Sequence, residues 1–431
     1  MTSTTDPLGR DLYELAKTLF PFPRSLTGNG VRRTLAEIQK HLPGLAVHEV
    51  PSGTRAFDWT VPDEWNVEDA YVLDARGRRV IDWKKNNLHL VGYSVPVDAT
   101  LSREELEAHL HSLPNQPTAI PYVTSYYARR WGFCLSHRAR RALKKGTYRA
   151  VIKSRLAPGS MTYGELLLPG REPAEVLLST YVCHPSMANN ECSGPAVTTF
   201  LAKALAARTA RRLSYRVVFV PETIGAILYL SRNLEALRRS TVAGYVVTCV
   251  GDDRVYSFLP SRLGDTLADR MARHVLKHRA PRARHYSYLQ RGSDERQYGW
   301  PGVDLPVASI MRSKYHEYPE YHTSLDDLKF ISPRGLAGAY RVLQETLDGL
   351  ESNGTFQTTV LGEPQLGPRG LYASLGTKKT DARAEDYLNL LAYCDGTRDL
   401  LAVAEIIQRP LADCAQWAAL LMEHGLLRRT A

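Results

Sequence analysis

Four nearly continuous apolar runs of strand length constrain this chain more than any other feature. They are Glu175 to Cys183 (EVLLSTYVC), Tyr215 to Val220 (YRVVFV), Gly244 to Val250 (GYVVTCV) and Pro306 to Met311 (PVASIM). A strand with one wet face alternates apolar and polar residues, whereas a run without alternation needs cover on both faces. Helical stretches at Ala196 to Ala207 and Ile224 to Leu237 separate the runs. Strand and helix in alternation predict an α/β core with a mostly parallel sheet and right-handed crossovers. At 431 residues, 44% hydrophobic, the chain has material for two or three such cores, and disorder is excluded.

The flanking segments read differently. Leu12, Leu15, Ala16 and Leu19, then Leu35, Ile38 and Leu42, recur at helical spacing on either side of a Gly-rich segment, Ser25 to Gly30. From 45 to 140 the texture becomes short alternating runs such as AYVLDARGRRVIDW, whose ARGRR marks a hairpin turn. This block is expected to be an inserted small β-rich domain with Trp59, Trp65 and Trp131 in its core. The catalytic core is then discontinuous, 1–44 and 141–355. Beyond a Gly-, Thr-, Pro- and Gln-rich break at Ser352–Gly370, residues 360–431 carry three short helical patterns, Ala384 to Tyr393, Leu400 to Gln408 and Leu411 to His424. Three helices and an extended tail outline a winged helix. Its expected recognition stretch, LADCAQWAALLMEHG, has no Lys or Arg, so we expect a packing or protein-contact module and no DNA binding.

The N-terminus lacks the basic and apolar regions of a signal peptide, and no stretch is apolar enough to span a membrane. A cytoplasmic location is the expectation, with no membrane partner. Six scattered Cys without CxxC spacing read as reduced, structural thiols. The formal charge of +10 favours anionic partners, and its basic run RHVLKHRAPRARH, with Arg291 and Arg296 further on, is expected beside the site.

Three strand ends carry ionisable clusters. YVCHPSMANNECSG holds His184 and Glu191, FVPETIG holds Glu222, and RGSDERQY with the later YHTSLD holds Asp294, His322 and Asp326. Open α/β sheets bind ligands beyond the carboxyl ends of their strands, so these clusters should converge. Two imidazoles with two or three carboxylates form a set that zinc accepts, with an adjacent carboxylate available as general base.

The order His, acid-Ser-Gly opening a helix, strand-Glu, Ser-Asp and His-Thr-x-x-Asp resembles the zinc aminopeptidases of leucyl aminopeptidase and glutamate carboxypeptidase type. CHPSMANNECSGP, PETIGAI, RGSDERQY and EYHTSLDD resemble more closely a bacterial family of aminopeptidase-like proteins with an inserted β-rich domain and a C-terminal winged helix, often found with polysaccharide or natural-product biosynthesis. The resemblance covers essentially the whole chain. It implies a three-layer zinc-peptidase-like (phosphorylase/hydrolase-like) core. It also implies His184, Asp294 and His322 as metal ligands, Glu222 as general base or ligand, and Asp326 as a hydrogen-bond acceptor orienting His322. Two departures stand out: Asn190 replaces the bridging Asp of those enzymes, and Glu222-Thr223 replaces adjacent glutamates. An amide brings no charge to offset two cations, so one zinc is expected rather than two, with Glu191 serving in place of the missing Asp.

The expected activity is amide or peptide hydrolysis on a small peptide or amide-linked intermediate, anionic or carrier-linked, in a biosynthetic pathway, with Arg291 or Arg296 at the oxyanion. The alternative is a degenerate metallopeptidase fold that binds a peptide, sugar or carrier protein. A regulator acting on DNA is a third reading, and self-association of the chain is left open.

Overall fold

The computed structural model describes residues 6–371 and 382–430. Residues 1–5 of the N-terminal segment, and 372–381 and 431 of the expected winged helix, lie outside the described residues. The chain forms two compact units, Met1–Ala268 with Arg284–Tyr340, and Asp269–Ala283 with Arg341–Ala431.

The first unit is built on an eight-stranded sheet in the order Ala46–Pro51, Ser160–Leu168, Ser214–Val220, Glu175–Tyr181, Thr241–Val246, Val307–Met311, Ser257–Leu259 and Arg284–His285. The four strands from Ser214–Val220 to Val307–Met311 run parallel. Antiparallel partners flank them on both sides, giving a mixed sheet. Every residue of Glu175–Tyr181 and Val307–Met311 is buried, which is why these runs show no alternation. Arg216 and Glu175 are the polar exceptions at the sheet centre, and they neutralise each other: Nε donates to Oε1 at 2.6 Å and Nη2 to Oε2 at 3.0 Å. The helices Pro7–Leu19 and Asn29–Gln39 bury the apolar stripes expected of them, the first against the helix Ser193–Ala206 and the second against the strand Ser160–Leu168.

The β-rich insert is a four-stranded antiparallel sheet ordered Arg79–Asp82, Glu64–Leu73, Thr147–Ala157 and Val97–Ser102. Its limits differ from 45 and 140 at both ends. Ala46–Pro51 is the edge strand of the large sheet, and Thr147–Ala157 lies in the middle of the insert sheet. Both crossings happen strand to strand, across Pro158-Gly159 at one of them, so no change of periodicity marks them. Trp65 is buried and donates from Nε1 to the Ser94 carbonyl at 2.9 Å, but Trp59 is 40% exposed and is no core residue.

In the second unit the helices Ala382–Tyr393, Leu400–Ile406 and Leu411–Glu423 accompany a three-stranded sheet of Asp395–Asp399, Thr355–Thr358 and Leu427–Arg429. This is the winged-helix outline. The basic run is divided between the units: His274 and Lys277 pair with Glu405, and Arg279 with Glu345, within the second unit. Only the residues from 284 onward share a unit with the expected site. Among the described residues no helix is long and apolar enough to cross a membrane.

Arg32 clamps three parts of the first unit. Its guanidinium meets Glu49 on the edge strand at 2.6 Å and Glu64 of the insert at 2.7 and 2.8 Å. The Arg32 hydrogen bonds outweigh burial and hold the Glu64 carboxyl at about 2, below its ordinary 4.5. A depressed folded-state pKa contributes stability above the unfolded value, lost as pH falls from about 4.5 toward 2. Glu64→Gln is therefore expected to cost about 1 kcal/mol at pH 7, discounted for screening, and the deficit against wild type should vanish near pH 2. Urea unfolding of both proteins across that range checks it, and a deficit unchanged by pH would contradict the assignment.

Candidate metal centre

The strands Glu175–Tyr181 and Ser214–Val220 are parallel neighbours, so the residues following each emerge side by side. The first delivers Cys183 and His184. The chain then turns back through Ser186, at φ 46°, and a single wide π-helical turn, Ala188–Cys192, before the helix Ser193–Ala206 begins. That extra-wide turn returns Glu191 to the strand end, where its Oε2 hydrogen-bonds to His184 Nδ1 at 2.7 Å. The second strand delivers Glu222, whose Oε2 stands 3.4 Å from His184 Nε2 while its Oε1 accepts from Ser293 Oγ at 3.0 Å. His184 thus has a carboxylate at each ring nitrogen.

Asp294 lies beside Glu222, fixed by the Thr223 N–H donating to its Oδ1 at 2.7 Å. Thr223 itself has φ 63°, which aims that N–H. His322 faces His184 with ring centroids 5.3 Å apart; Tyr122 sets its edge against both imidazoles at 5.1 Å, and Tyr321 stacks on His322 at 3.9 Å. The structure therefore brings His184, Glu191, Glu222, Asp294 and His322 to one end of the sheet. A cleft of about 450 Å³ opens there, lined by His184, Glu222, His322, Tyr122, Tyr126 and Tyr127.

The electrostatics are those of a crowded acidic site. Burial opposes protonation of His184, but Cys183 and Glu191 outweigh it and raise its pKa well above the ordinary value. Burial, with His184 and His316 adding repulsion, lowers His322 to about 2 and keeps it a neutral imidazole. Burial raises Glu222, and burial together with Glu222 raises Asp294. Ligand atoms of Cys183, His184 and Glu191 lie within 4.8 Å of one another. Glu191 Oε1, Asp294 Oδ2 and His322 Nε2 are buried without a hydrogen-bond partner. Lone buried acceptors of this kind are costly, and nitrogen, oxygen and sulfur donors are the set zinc takes, so the residues present fit a metal ion. Asp294 and His322 stand outside the compact trio.

Two expectations change. Asp326 does not orient His322: its carboxylate accepts the Asn189 and Asn190 N–H groups at 2.6 and 2.9 Å and the Tyr318 hydroxyl at 3.2 Å, pinning the π turn. The family resemblance implied His322, but the carboxylate is turned to the π turn. Arg291 and Arg296 line a neighbouring cavity rather than the cleft that holds His184. Cys183 is a free, buried thiol as expected, its pKa pushed up to about 11 by burial, and its sulfur lies beside His184 and accepts from the Glu222 N–H at 3.2 Å. Arg24 escaped notice altogether. It is buried, donates to the His184 carbonyl at 2.9 Å and to Cys192 Sγ at 3.2 Å, and stands 3.8 Å from Glu191. A lone Arg before a Gly-rich segment gives no sign of partners 160 residues away. Asn190 donates to the Tyr181 hydroxyl at 2.8 Å, while its Oδ1 is buried without a partner.

Residues 13–353 match the family described as a domain of unknown function (DUF4910), and residues 354–429 match a winged helix-turn-helix family. A Clostridium acetobutylicum protein named as a candidate polysaccharide biosynthesis protein with an aminopeptidase-like domain is 44% identical over 399 residues, 92% of this chain and 91% of that one. The crystal structure of a candidate peptidase from the same organism has a TM-score of 0.92 at 42% identity, covering 98% of this chain and 96% of that one. A zinc aminopeptidase from Bacillus subtilis has a TM-score of 0.56 at 12% identity over 78% of this chain and 93% of its own, a likeness of fold.

Asp326→Asn keeps the shape but replaces one acceptor oxygen with an N–H₂ facing a backbone N–H. Leaving a buried backbone N–H without its acceptor is expected to cost about 2 kcal/mol. The thermal midpoint should fall by about 5 °C, measured by calorimetry. An unchanged midpoint would remove Asp326 from the support of the turn.

Proposed function

The chain belongs to the DUF4910 family, and we propose on that premise that it is a zinc-dependent amide or peptide hydrolase of aminopeptidase-like type. Its substrate would be a small peptide or amide-linked intermediate of a biosynthetic pathway. The observation that carries the reading is His184 held between Glu191 and Glu222 at the floor of an open cleft. The relative named for polysaccharide biosynthesis with an aminopeptidase-like domain supports the setting.

His184 and Glu191 would hold the ion, with Cys183, Asp294 and His322 the further donors within reach. One zinc, when bound, supplies Lewis acidity and lowers the pKa of a coordinated water toward about 7. Glu222 is the general base: Ser293 fixes one carboxylate oxygen, and the other faces the cleft, where it takes a proton from water and hands it to the leaving amine. The raised pKa of Glu222 suits that return of the proton. Tyr122, edge-on to both imidazoles, limits water on that side. Arg24 offsets the charge of Glu191 from behind. A single ion agrees with Asn190, whose amide nitrogen is spent on Tyr181, and with Thr223 in place of a second glutamate.

A second reading, a binding protein on a degenerate hydrolase fold, is favoured by those same two residues. The winged helix is read as a protein-contact module, because Leu411–Glu423 carries no Lys or Arg.

Zinc content of the purified protein, measured by elemental mass spectrometry, and turnover on a panel of aminoacyl anilides and N-acyl amines separate the readings. Glu222→Gln should lower turnover by about 10²–10⁴-fold with zinc retained. Loss of zinc in that variant would make Glu222 a ligand. A wild-type protein without zinc, and without turnover when zinc is added, would leave the binding reading.

A further inference from the structure

The cleft does not end at Glu222. Trp59 and Thr223 also line a second cavity of about 690 Å³, whose walls include Phe57, Trp300, Arg291, Arg296 and Gln297. Two properties separate this cavity from an ordinary surface hollow.

The first is its aromatic rim. Phe57, Trp59 and Trp300 are 46%, 40% and 57% exposed, although such rings are ordinarily buried. The hairpin of Arg55–Ala56 and Trp59–Thr60 carries two of them outward, with Phe57 at φ 52°, a conformation that costs energy in a bulky residue. Trp59 is steadied by Tyr127, 5.9 Å away between centroids, and Tyr127 anchors the strand by donating to the Thr60 carbonyl at 2.6 Å. The ring is thus held at the junction of the two cavities.

The second is its charge. Arg24, Arg32, Arg216 and Arg254 are all matched by carboxylates, but Arg291 and Arg296 form no ion pair among the described residues. Arg296 donates to Thr223 Oγ1 at 2.7 Å and has a buried Nε without a partner. Arg291 rests 5.0 Å from the Tyr288 ring centroid. Among the described residues, Asp58 is the one carboxylate lining the cavity.

We propose that this cavity binds the part of the substrate remote from the scissile amide, and that this part is a sugar ring carrying an anionic group. Flat aromatic faces pack against the C–H face of a pyranose, and Gln297, Asp58 and Thr223 offer hydroxyl partners. Guanidinium forks bind phosphate or carboxylate in two-pronged fashion. A peptide carboxylate would use the arginines but leave three ring faces idle. The position of the amide rests on the hydrolase reading above; the occupancy of the cavity does not.

Isothermal titration of the full chain, read without turnover, tests this with N-acetylglucosamine 1-phosphate, glucuronic acid, neutral N-acetylglucosamine, inorganic phosphate and an Asp-Glu dipeptide. At least one anionic sugar should bind about 10-fold or more tighter than the neutral sugar and than phosphate, corresponding to one strong charged contact. Whether the phosphosugar or the glucuronate binds tighter identifies the anion. Arg291→Ala and Trp300→Ala should each weaken that binding about 10-fold. Trp300→Leu, which keeps apolar bulk without a stacking face, should weaken it similarly, and melting curves will show whether each variant is folded. The proposal is overturned if neither anionic sugar binds, if folded Arg291 and Trp300 variants bind as wild type, or if the dipeptide binds tightest. Failure of the zinc and Glu222 assays with this binding intact would sink the hydrolase reading alone.

Discussion

Asp326 is the residue on which the geometry of the site depends. Its fully buried carboxylate ties down the N–H groups of Asn189 and Asn190, and its backbone carbonyl accepts from Ala188 N–H at 2.9 Å. Three successive residues of one turn are thereby held from a segment 136 residues further on. A π turn is rare and occurs mostly as a single turn, often at a functional site, and here Asp326 holds it from outside. With the turn fixed, Glu191 has no choice but to face His184, and the helix after it starts at Ser193-Gly194 close against the sheet. Gly194 is needed there, because a Cβ would fall on the Val247 carbonyl and 2.5 Å from Thr180 Oγ1.

The polar interior follows from that closure. His184, Glu191, Asp294 and Asp326 are each 5% exposed or less. Burying several acids together is expensive unless charge or hydrogen bonds compensate, and here the compensation is incomplete. Arg24 serves Glu191 from behind at 3.8 Å, Thr223 and Ser293 serve Asp294 and Glu222, and an oxygen of Glu191 and another of Asp294 are left over. Strain sits where the chain leaves its strands, at Ser186, Thr223 and Cys249, and at His322, all with positive φ. Fold stability is given up at the strand ends and is supplied by the unalternating strands beneath.

Much of this was legible in the sequence where one residue type reports one environment. Apolar runs without alternation meant doubly covered strands, and the ends of those strands carried His184, Glu222 and the turn with Glu191. What was not legible depends on partners far apart in the chain. Cys183 reads as the last apolar residue of a strand until the neighbouring strand brings Glu222 N–H to its sulfur. Arg24 has no local cue, because both of its acceptors near the site lie in the loop after residue 183. Asp326, which the resemblance set beside His322, faces the π turn instead, and His322 has φ 54° where the chain turns between them. The insert boundary was missed because strand follows strand across it, and Trp59 because a hairpin tip carries it outward.

Charge separation across the two adjoining cavities gives the site a direction. On one side of Trp59 stand Glu222 and its buried acidic neighbours, a field that favours a cation and repels anions. On the other stand Arg291 and Arg296, with Asp58 lining the same cavity, and the Arg296 charge also acts on Glu222 and Asp294. The overall charge of +10 says nothing of this, since the basic helix from residue 273 is paired with Glu405 and Glu345 in the other unit. What matters is that two arginines without ion pairs lie beside a cluster of carboxylates with unpartnered oxygens. For a molecule with an anionic end, the orientation with the anion toward Arg291 and a neutral amide toward Glu222 costs less than the reverse. Orientation of that kind is set before any bond is broken, and it follows from charge placement alone.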